Sequence, residues 1–244
     1  MYIGVKDFIQ EFKDPFDSNA KAKKIATAII KERGEKITNE ILKEEIANVL
    51  AEWDKKRTRG ERVQRKLCDL DIKQRPENTI LGGRNEFSND KNFEGLTDKT
   101  VCTLENKTVY LEKLLYSSKL GIRGYADKIF IDRNTINILD NKVVDKIYRT
   151  SSFKTNTGML IKGSKMYPPL EHLDDCNYSD MCLQVSLYMY LSWMNNKNLK
   201  IGKLFIRHIR MNDKDKITSD KLIEVPYLKD EIIKMLKYKK LNDE

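Results

Sequence analysis

The sequence predicts a mixed α/β fold, a central sheet flanked by helices, with a helical region at the N-terminus. Three observations carry this. Apolar residues recur at helical spacing within residues 1–75. Two runs rich in branched and aromatic residues, 124–131 and 136–144, flank a short polar turn. A third run, 178–194, has the length and apolar density of a helix. At 244 residues the chain can bury a full core, and a single domain is the simplest division. Within it, 1–75 is the helical region, 76–107 a loop or insertion, and 108–244 the core of the fold.

Composition narrows the function classes. With 40% hydrophobic and 9% aromatic residues the chain is globular and not disordered. Forty-six Lys and Arg against 37 Asp and Glu give a net charge of +9. That balance suits a polyanionic partner, although many basic proteins bind none. The first twelve residues include Lys6, Asp7 and Glu11, unlike a signal peptide, and no apolar run approaches membrane-spanning length. Cys68, Cys102, Cys176 and Cys182 show no Cys-x-x-Cys spacing and read as reduced thiols in a cytoplasmic protein.

In chain order, residues 18–31 read as a helix capped by Asp17 or Ser18 and broken at Gly34. Thr38 is placed to cap a longer helix, in which Ile41, Leu42, Ile46, Val49, Leu50 and Trp53 form a core face. Beyond it Lys55, Lys56, Arg57, Arg59 and Arg62 crowd around Gly60. They form either a solvated helix face or a surface that tracks phosphates without reading sequence. Residues 75–100, with Pro76, Gly82, Gly83 and Gly95, read as a loop, and no Gly-Lys-Ser/Thr follows to make a phosphate loop. Residues 109–116 read as a strand or short helix, with Glu112 an exposed carboxylate.

The two runs around Asp132-Arg133-Asn134-Thr135 form a hairpin. Strand alternation puts Asp140 and Lys142 on one face with Ile136 and Ile138, and Leu139, Asn141 and Val143 on the other. Charges inside a sheet cost several kcal/mol unless paired or bound to a metal. One reading of Asp140 and Lys142 is an ion pair at the sheet's end. The other adds Asp127, from the neighbouring strand, as a second carboxylate aimed at the same point. Two hard oxygen ligands with positions left for water and phosphate suit Mg²⁺ or Mn²⁺. Lys142 would then orient an attacking water or take its proton, and offset charge building on a phosphate.

Downstream, Lys146, Arg149, Lys154, Lys162 and Lys165 are interleaved with Tyr148 and Phe153. This segment can hold a nucleic-acid backbone and stack bases, or be a surface loop. In the helix at 178–194, Gln184 and Tyr188 share a face one turn apart. His172 and His208 lack metal-ligand spacing and read as structural. Residues 200–211 and 221–227 read as strands and 229–240 as a closing basic helix.

Gly124-Tyr125-Ala126-Asp127, a turn, and then Asp140-Asn141-Lys142, with Gln184 and Tyr188 about 40 residues further on, resemble the PD-(D/E)XK nuclease superfamily. The similarity is to its RecB-like exonuclease branch, and 166–170 and 174–178 look like what viral and phage members carry before the Gln-x-x-x-Tyr helix. The resemblance implies a restriction-endonuclease-like fold and a Mg²⁺- or Mn²⁺-dependent nuclease. The expected chemistry is phosphodiester hydrolysis by a DNA exonuclease of recombination, repair or viral genome processing. It implies that Asp127, Asp140 and the Asn141 backbone carbonyl bind metal, and that Lys142 is catalytic. Gln184, Tyr188 and the basic residues Arg57, Arg59 and Arg62 would hold substrate, and Glu112, exposed on the reading from its own residues, also matches an acid common at its place in the family.

The chain departs from the family where Gln64 stands four residues after Gly60, a place often held by a metal-binding histidine. Glu61, one turn earlier, is the alternative ligand. No cysteine follows Cys182, so no iron-sulfur cluster is expected. Partners implied are nucleic acid, DNA ahead of RNA, with a homo-oligomer or recombination protein by analogy and no membrane. The setting is cytoplasmic, or the host cell interior if the protein is viral. Two rival readings stay open: a non-cutting nucleic-acid-binding protein on the same fold, and an RNA endonuclease.

Overall fold

The structure is a computed structural model and describes residues 2–15, 17–82, 96–154, 160–161, 163–212, 214 and 216–242. The chain runs β1 (Ile3–Gly4), α1 (Val5–Gln10), α2 (Ser18–Glu32), α3 (Asn39–Lys73), β2 (Thr79–Leu81), α4 (Asp98–Cys102), β3 (Val109–Ser117), β4 (Ile122–Asp132) and β5 (Thr135–Val143). It continues through β6 (Phe153–Lys154), β7 (Leu160–Ile161), α5 (Asn177–Met194), β8 (Lys200–Met211), β9 (Ile217–Val225) and α6 (Lys229–Asn242). It divides into two compact units, Pro15–Lys66 and the remainder. The expected mixed α/β architecture is present, a seven-stranded sheet with helices packed against it. Among the described residues no helix is long and apolar enough to cross a membrane.

The smaller unit forms for local reasons. Asp17 accepts from the Ala20 N–H at 2.9 Å and caps α2, and Gly34, at φ 70°, follows its end. Thr38 Oγ1 accepts from the Ile41 N–H at 3.3 Å at the start of α3. The expected apolar face is realised except at Ile41, with Ala22, Ala26 and Val49 buried against Leu42, Ile46, Leu50 and Trp53.

The larger unit holds the sheet, in the order β2-β3-β4-β5-β8-β9, with β1 added to β4. Residues 109–116 belong to a strand and not to a helix. The stretch expected as a loop at 75–100 contributes β2, parallel to β3, and α4. Its residues 83–95, Gly83 and Gly95 included, lie outside the described residues, as do 155–159 and 162 of the later basic segment.

The β4–β5 hairpin turns through Arg133 and Asn134 alone, at φ 47° and 65°, the doubly left-handed conformation that matches strand twist. Its ladder runs from Asp132↔Thr135 to Lys128↔Leu139 and then stops. Beyond that point β4 keeps its antiparallel pairing with β3, while β5 runs beside β8 in parallel. The sheet is therefore forked between β4 and β5. Further along, β1 pairs with β4 at Ile3↔Ile122 and Gly4↔Arg123, and α1 starts from there.

Parallel β5 and β8 need a crossover, and α5 supplies it. Leu183, Val185, Leu187 and Met189 are fully buried, so α5 is apolar nearly all round, as befits a helix with protein on every side. It packs against β5, β8, α1 and α6. Ser186 Oγ, wholly buried in α5, accepts from the Leu228 N–H at 3.0 Å and fixes the approach to α6.

Candidate metal centre

Asp127 and Asp140 face each other where the fork opens, since continuing the ladder by one step would pair them. Both are buried, 5% and 2% exposed. Asp127 replaces the missing ladder bond, its Oδ2 accepting from the Asn141 N–H at 2.8 Å. Glu112 lies across β3 from Asp127, between the Leu111↔Lys128 and Lys113↔Ala126 pairs, with φ at 53°. It is half-buried, where an exposed carboxylate was expected, and β2 and Gly82 lie along the backbone of its strand.

Electrostatics follow from this crowding. Burial first, then the charges of Asp140 and Glu112, push the Asp127 carboxyl up from 3.8 to about 7. The Asn141 N–H and Lys142 oppose the rise without cancelling it. The expected sharing of a face is realised: Ile136, Ile138 and Asp140 are all buried, and Lys142 is nearly so, its side chain 14% exposed.

Lys142 Nζ lies 2.5 Å from Asp140 Oδ2, an ion pair without the alignment of a hydrogen bond. It donates to Gln184 Oε1 at 2.7 Å. The Gln184 amide turns its Nε2 to the Tyr188 hydroxyl at 3.0 Å and to Asp140 Oδ1 at 3.5 Å. One side chain of α5 therefore fixes both the lysine and an acid of β5. Tyr188 reaches this position because residue 124 is glycine: a Cβ there would lie 2.8 Å from Tyr188 Cε1 and 2.9 Å from Val5 Cγ2.

A cleft of about 290 Å³ opens beside this cluster, walled by Lys6, Ile9, Gln10 and Lys13 of the N-terminal segment, Lys142, and Asp180, Met181 and Gln184 of α5. Lys13 Nζ is tied to Asp180 Oδ2 at 2.6 Å. The sequence carries no local signal for these lysines. They reach the cleft because two residues of β1 pair with β4, a contact too short to show periodicity.

Among the described residues no group of three His, Cys, Asp or Glu side chains is arranged to hold a metal ion. Two carboxylates and a backbone carbonyl leave most of a coordination sphere to water and substrate, the usual manner of Mg²⁺. The donor set fits such an ion. Its oxygens are hard, buried and mutually repelling, and Asp140 Oδ2 has no aligned hydrogen-bond donor among the described residues.

The structure thus brings together Asp127, Asp140, Asn141, Lys142, Gln184 and Tyr188. Arg57, Arg59, Glu61, Arg62 and Gln64 lie on α3 in the smaller unit. There Arg57 pairs with Asp54 at 2.5 Å, which raises its pKa further, and Lys56 pairs with Glu52 at 3.0 Å. Part of that basic cluster is laced by acids on its own helix.

No family model matches this chain, and no curated protein matches it. Among solved structures it is similar to a protein named "Putative exonuclease" from Eubacterium rectale, at 12% identity. That match covers 97% of this chain and 77% of the other with a TM-score of 0.32. A second, SSO0001, is 15% identical over 75% of this chain and 86% of its own, with a TM-score of 0.24. Likeness of this size carries no argument about function.

Proposed function

We propose that the protein is a divalent-metal-dependent nuclease hydrolysing phosphodiester bonds in DNA, acting as an exonuclease of the RecB-like kind. One observation carries the reading: two buried acids, a lysine and a glutamine from three separate elements converge at a break in the sheet. An ion pair alone requires neither the second acid nor the glutamine.

Asp127, Asp140 and the Asn141 carbonyl would hold Mg²⁺ or Mn²⁺, which would supply positive charge against the phosphate. Of the three donors on the Lys142 ammonium, Gln184 Oε1 takes one, while Asp140 Oδ2 attracts the charge without an aligned hydrogen bond. The remaining donors are left for the attacking water or a phosphate oxygen, so Lys142 would orient the nucleophile and offset charge as it builds. Gln184 acts on the lysine by fixing its rotamer, and Tyr188 fixes Gln184. The cleft along α1 and α5 would take the strand next to the scissile bond.

The test is incubation of purified protein with end-labelled single- and double-stranded DNA and RNA, in Mg²⁺, Mn²⁺ or EDTA. DNA shortened from its ends only with metal is expected, and Lys142→Ala should slow this by about 10²- to 10⁴-fold. Cleavage of RNA alone would move the substrate. Salt-sensitive binding without cleavage under any metal would favour a binding protein on this fold, the reading to which Gln64 lends weight.

A further inference from the structure

We infer a second phosphate-binding site, built by Lys146, Arg149, His208 and Arg210, that holds the backbone of a single strand next to the catalytic lysine. The inference rests on the nuclease reading and adds to it the place and form of the substrate. Past Lys142, the Val144 N–H still bonds to the Ile209 carbonyl of β8 at 3.3 Å, and His208 Nε2 donates to the Val144 carbonyl at 2.8 Å. In register His208 lies beside Lys142, and Arg210 follows one repeat along the same face of the sheet. A pocket of about 330 Å³ opens there, with Ile223 and Ile147 as its apolar walls.

The segment after β5 that completes the pocket is held in place. The Asn177 side chain, at the start of α5, donates to the Lys146 carbonyl at 3.0 Å and accepts from the Tyr148 N–H at 2.7 Å. That pair of hydrogen bonds imitates a strand partner and fixes Lys146 and Arg149 at the pocket's rim. Lys146 Nζ lies 5.0 Å from the Tyr148 ring centre and the Arg149 guanidinium 4.6 Å from that of Tyr178. None of the ion pairs among the described residues engages Lys146, Arg149 or Arg210. Asp145 is the one acid in the lining, and Lys221, in register with His208 on β9, adds a further cation on the same face.

Three basic side chains and an oriented imidazole around one small pocket match a phosphate diester. Arg is suited to this by its fork of donors. Tyr148 is 52% exposed between Lys146 and Arg149, which leaves it available to stack a base. A strand with one phosphate in this pocket and a base on Tyr148 would present its neighbouring phosphodiester to Lys142.

The test measures binding apart from cleavage, by fluorescence polarisation of a labelled oligothymidylate in EDTA. The Arg149→Ala/Arg210→Ala double variant should bind about tenfold more weakly. Its logarithmic salt slope should fall by about 0.7, the share of the one phosphate the pocket neutralises on a single strand. Lysine at both positions should restore most of the slope. Tyr148→Ala should weaken oligothymidylate binding and leave displacement of the probe by inorganic phosphate unchanged, which separates strand from free phosphate. Lys203→Ala, on the other face of β8, should change nothing. If the double variant keeps wild-type affinity and slope while the wild type cleaves, the pocket proposal falls and the nuclease reading stands. If the wild type binds through this pocket but never cleaves, the reverse holds. A wild type that binds no oligothymidylate overturns the pocket proposal, and the cleavage assay on double-stranded DNA then decides the nuclease reading by itself.

Discussion

Asp127→Asn separates the stability of this site from its chemistry. The Asp127 carboxyl is nearly inaccessible and sits at about 7, against an ordinary 3.8, because burial and the charges of Asp140 and Glu112 all disfavour its ionisation. Between these two values the folded protein keeps a proton that the unfolded chain has released. Stability from this group therefore falls as pH rises from about 4 to about 7, and the whole penalty is present above that window. At 1.36 kcal/mol for each tenfold change, the full penalty is of the order of 4 kcal/mol, of which about 1.5 is already present at about pH 5. Asparagine keeps the shape and the acceptor for the Asn141 N–H but cannot ionise. In EDTA the variant should exceed the wild type by about 2 to 3 kcal/mol more at about pH 8 than at about pH 5. That is roughly 5 to 10 °C of melting temperature for a chain of this size. Thermal melts of both proteins across that range measure the gap; groups remote from Asp127 cancel in the difference, while Asp140 and Glu112, whose charges act on Asp127, contribute to it. A gap that stays flat, or shrinks towards high pH, would refute the account of Asp127 as a carboxyl ionised against repulsion. The variant should also lose all metal-dependent cleavage.

Other variants probe the supports. Gln184→Ala removes the acceptor that holds Lys142 at 2.7 Å and should lower kcat of the folded fraction by about 10- to 100-fold. It also strips Tyr188 and Asp140 of a buried partner and should cost about 1–3 kcal/mol in a thermal melt. Gly124→Ala drives a methyl group into Tyr188 and Val5 and should cost about 1–3 kcal/mol, read by chemical denaturation, and impair cleavage through the displaced Tyr188. Asn196→Ala leaves the Leu104 N–H and the Cys102 and Ser192 carbonyls without their partner and should cost about 2–4 kcal/mol without altering the activity of the folded fraction. Mg²⁺ at about a hundred times its dissociation constant should stabilise the wild type by about 2.7 kcal/mol in thermal melts and leave Asp140→Asn unmoved.

Much of this arrangement is legible in the sequence, for reasons that differ by element. The β4–β5 hairpin announces itself through alternation and the Arg133-Asn134 turn, and alternation alone is enough to place Lys142 beside Asp140. The Gln184 and Tyr188 pair reads as helical from its spacing, but its direction does not, because α5 is apolar on all sides and gives no preferred face. Glu112 is misread as exposed: β3 lies inside the sheet because β2 pairs with its outer edge, and β2 is three residues inside a Gly- and Asn-rich stretch with no periodicity. The lysines of the cleft and the pocket at His208 and Arg210 depend on strand register across the sheet. Register between β5 and β8 is set by a crossover of more than fifty residues, beyond the reach of any local pattern.

The fork between β4 and β5 links fold to proposed function. An unbroken ladder would have paired Asp127 with Asp140 and buried two like charges side by side, an arrangement that is strongly unfavourable. Separating the strands opens room for an ion but leaves backbone donors unpaired, and the Asp127 carboxylate recovers one of them at Asn141. The same separation frees the edge of β4 for β1, and so brings α1 and its lysines to the cleft. Removing the acids would relieve repulsion and allow the ladder to close, so stability alone gives no reason for them. A cation drawn to both carboxylates, beside a lysine held by Gln184, would supply that reason, and would make a place of buried like charges the place where chemistry is expected.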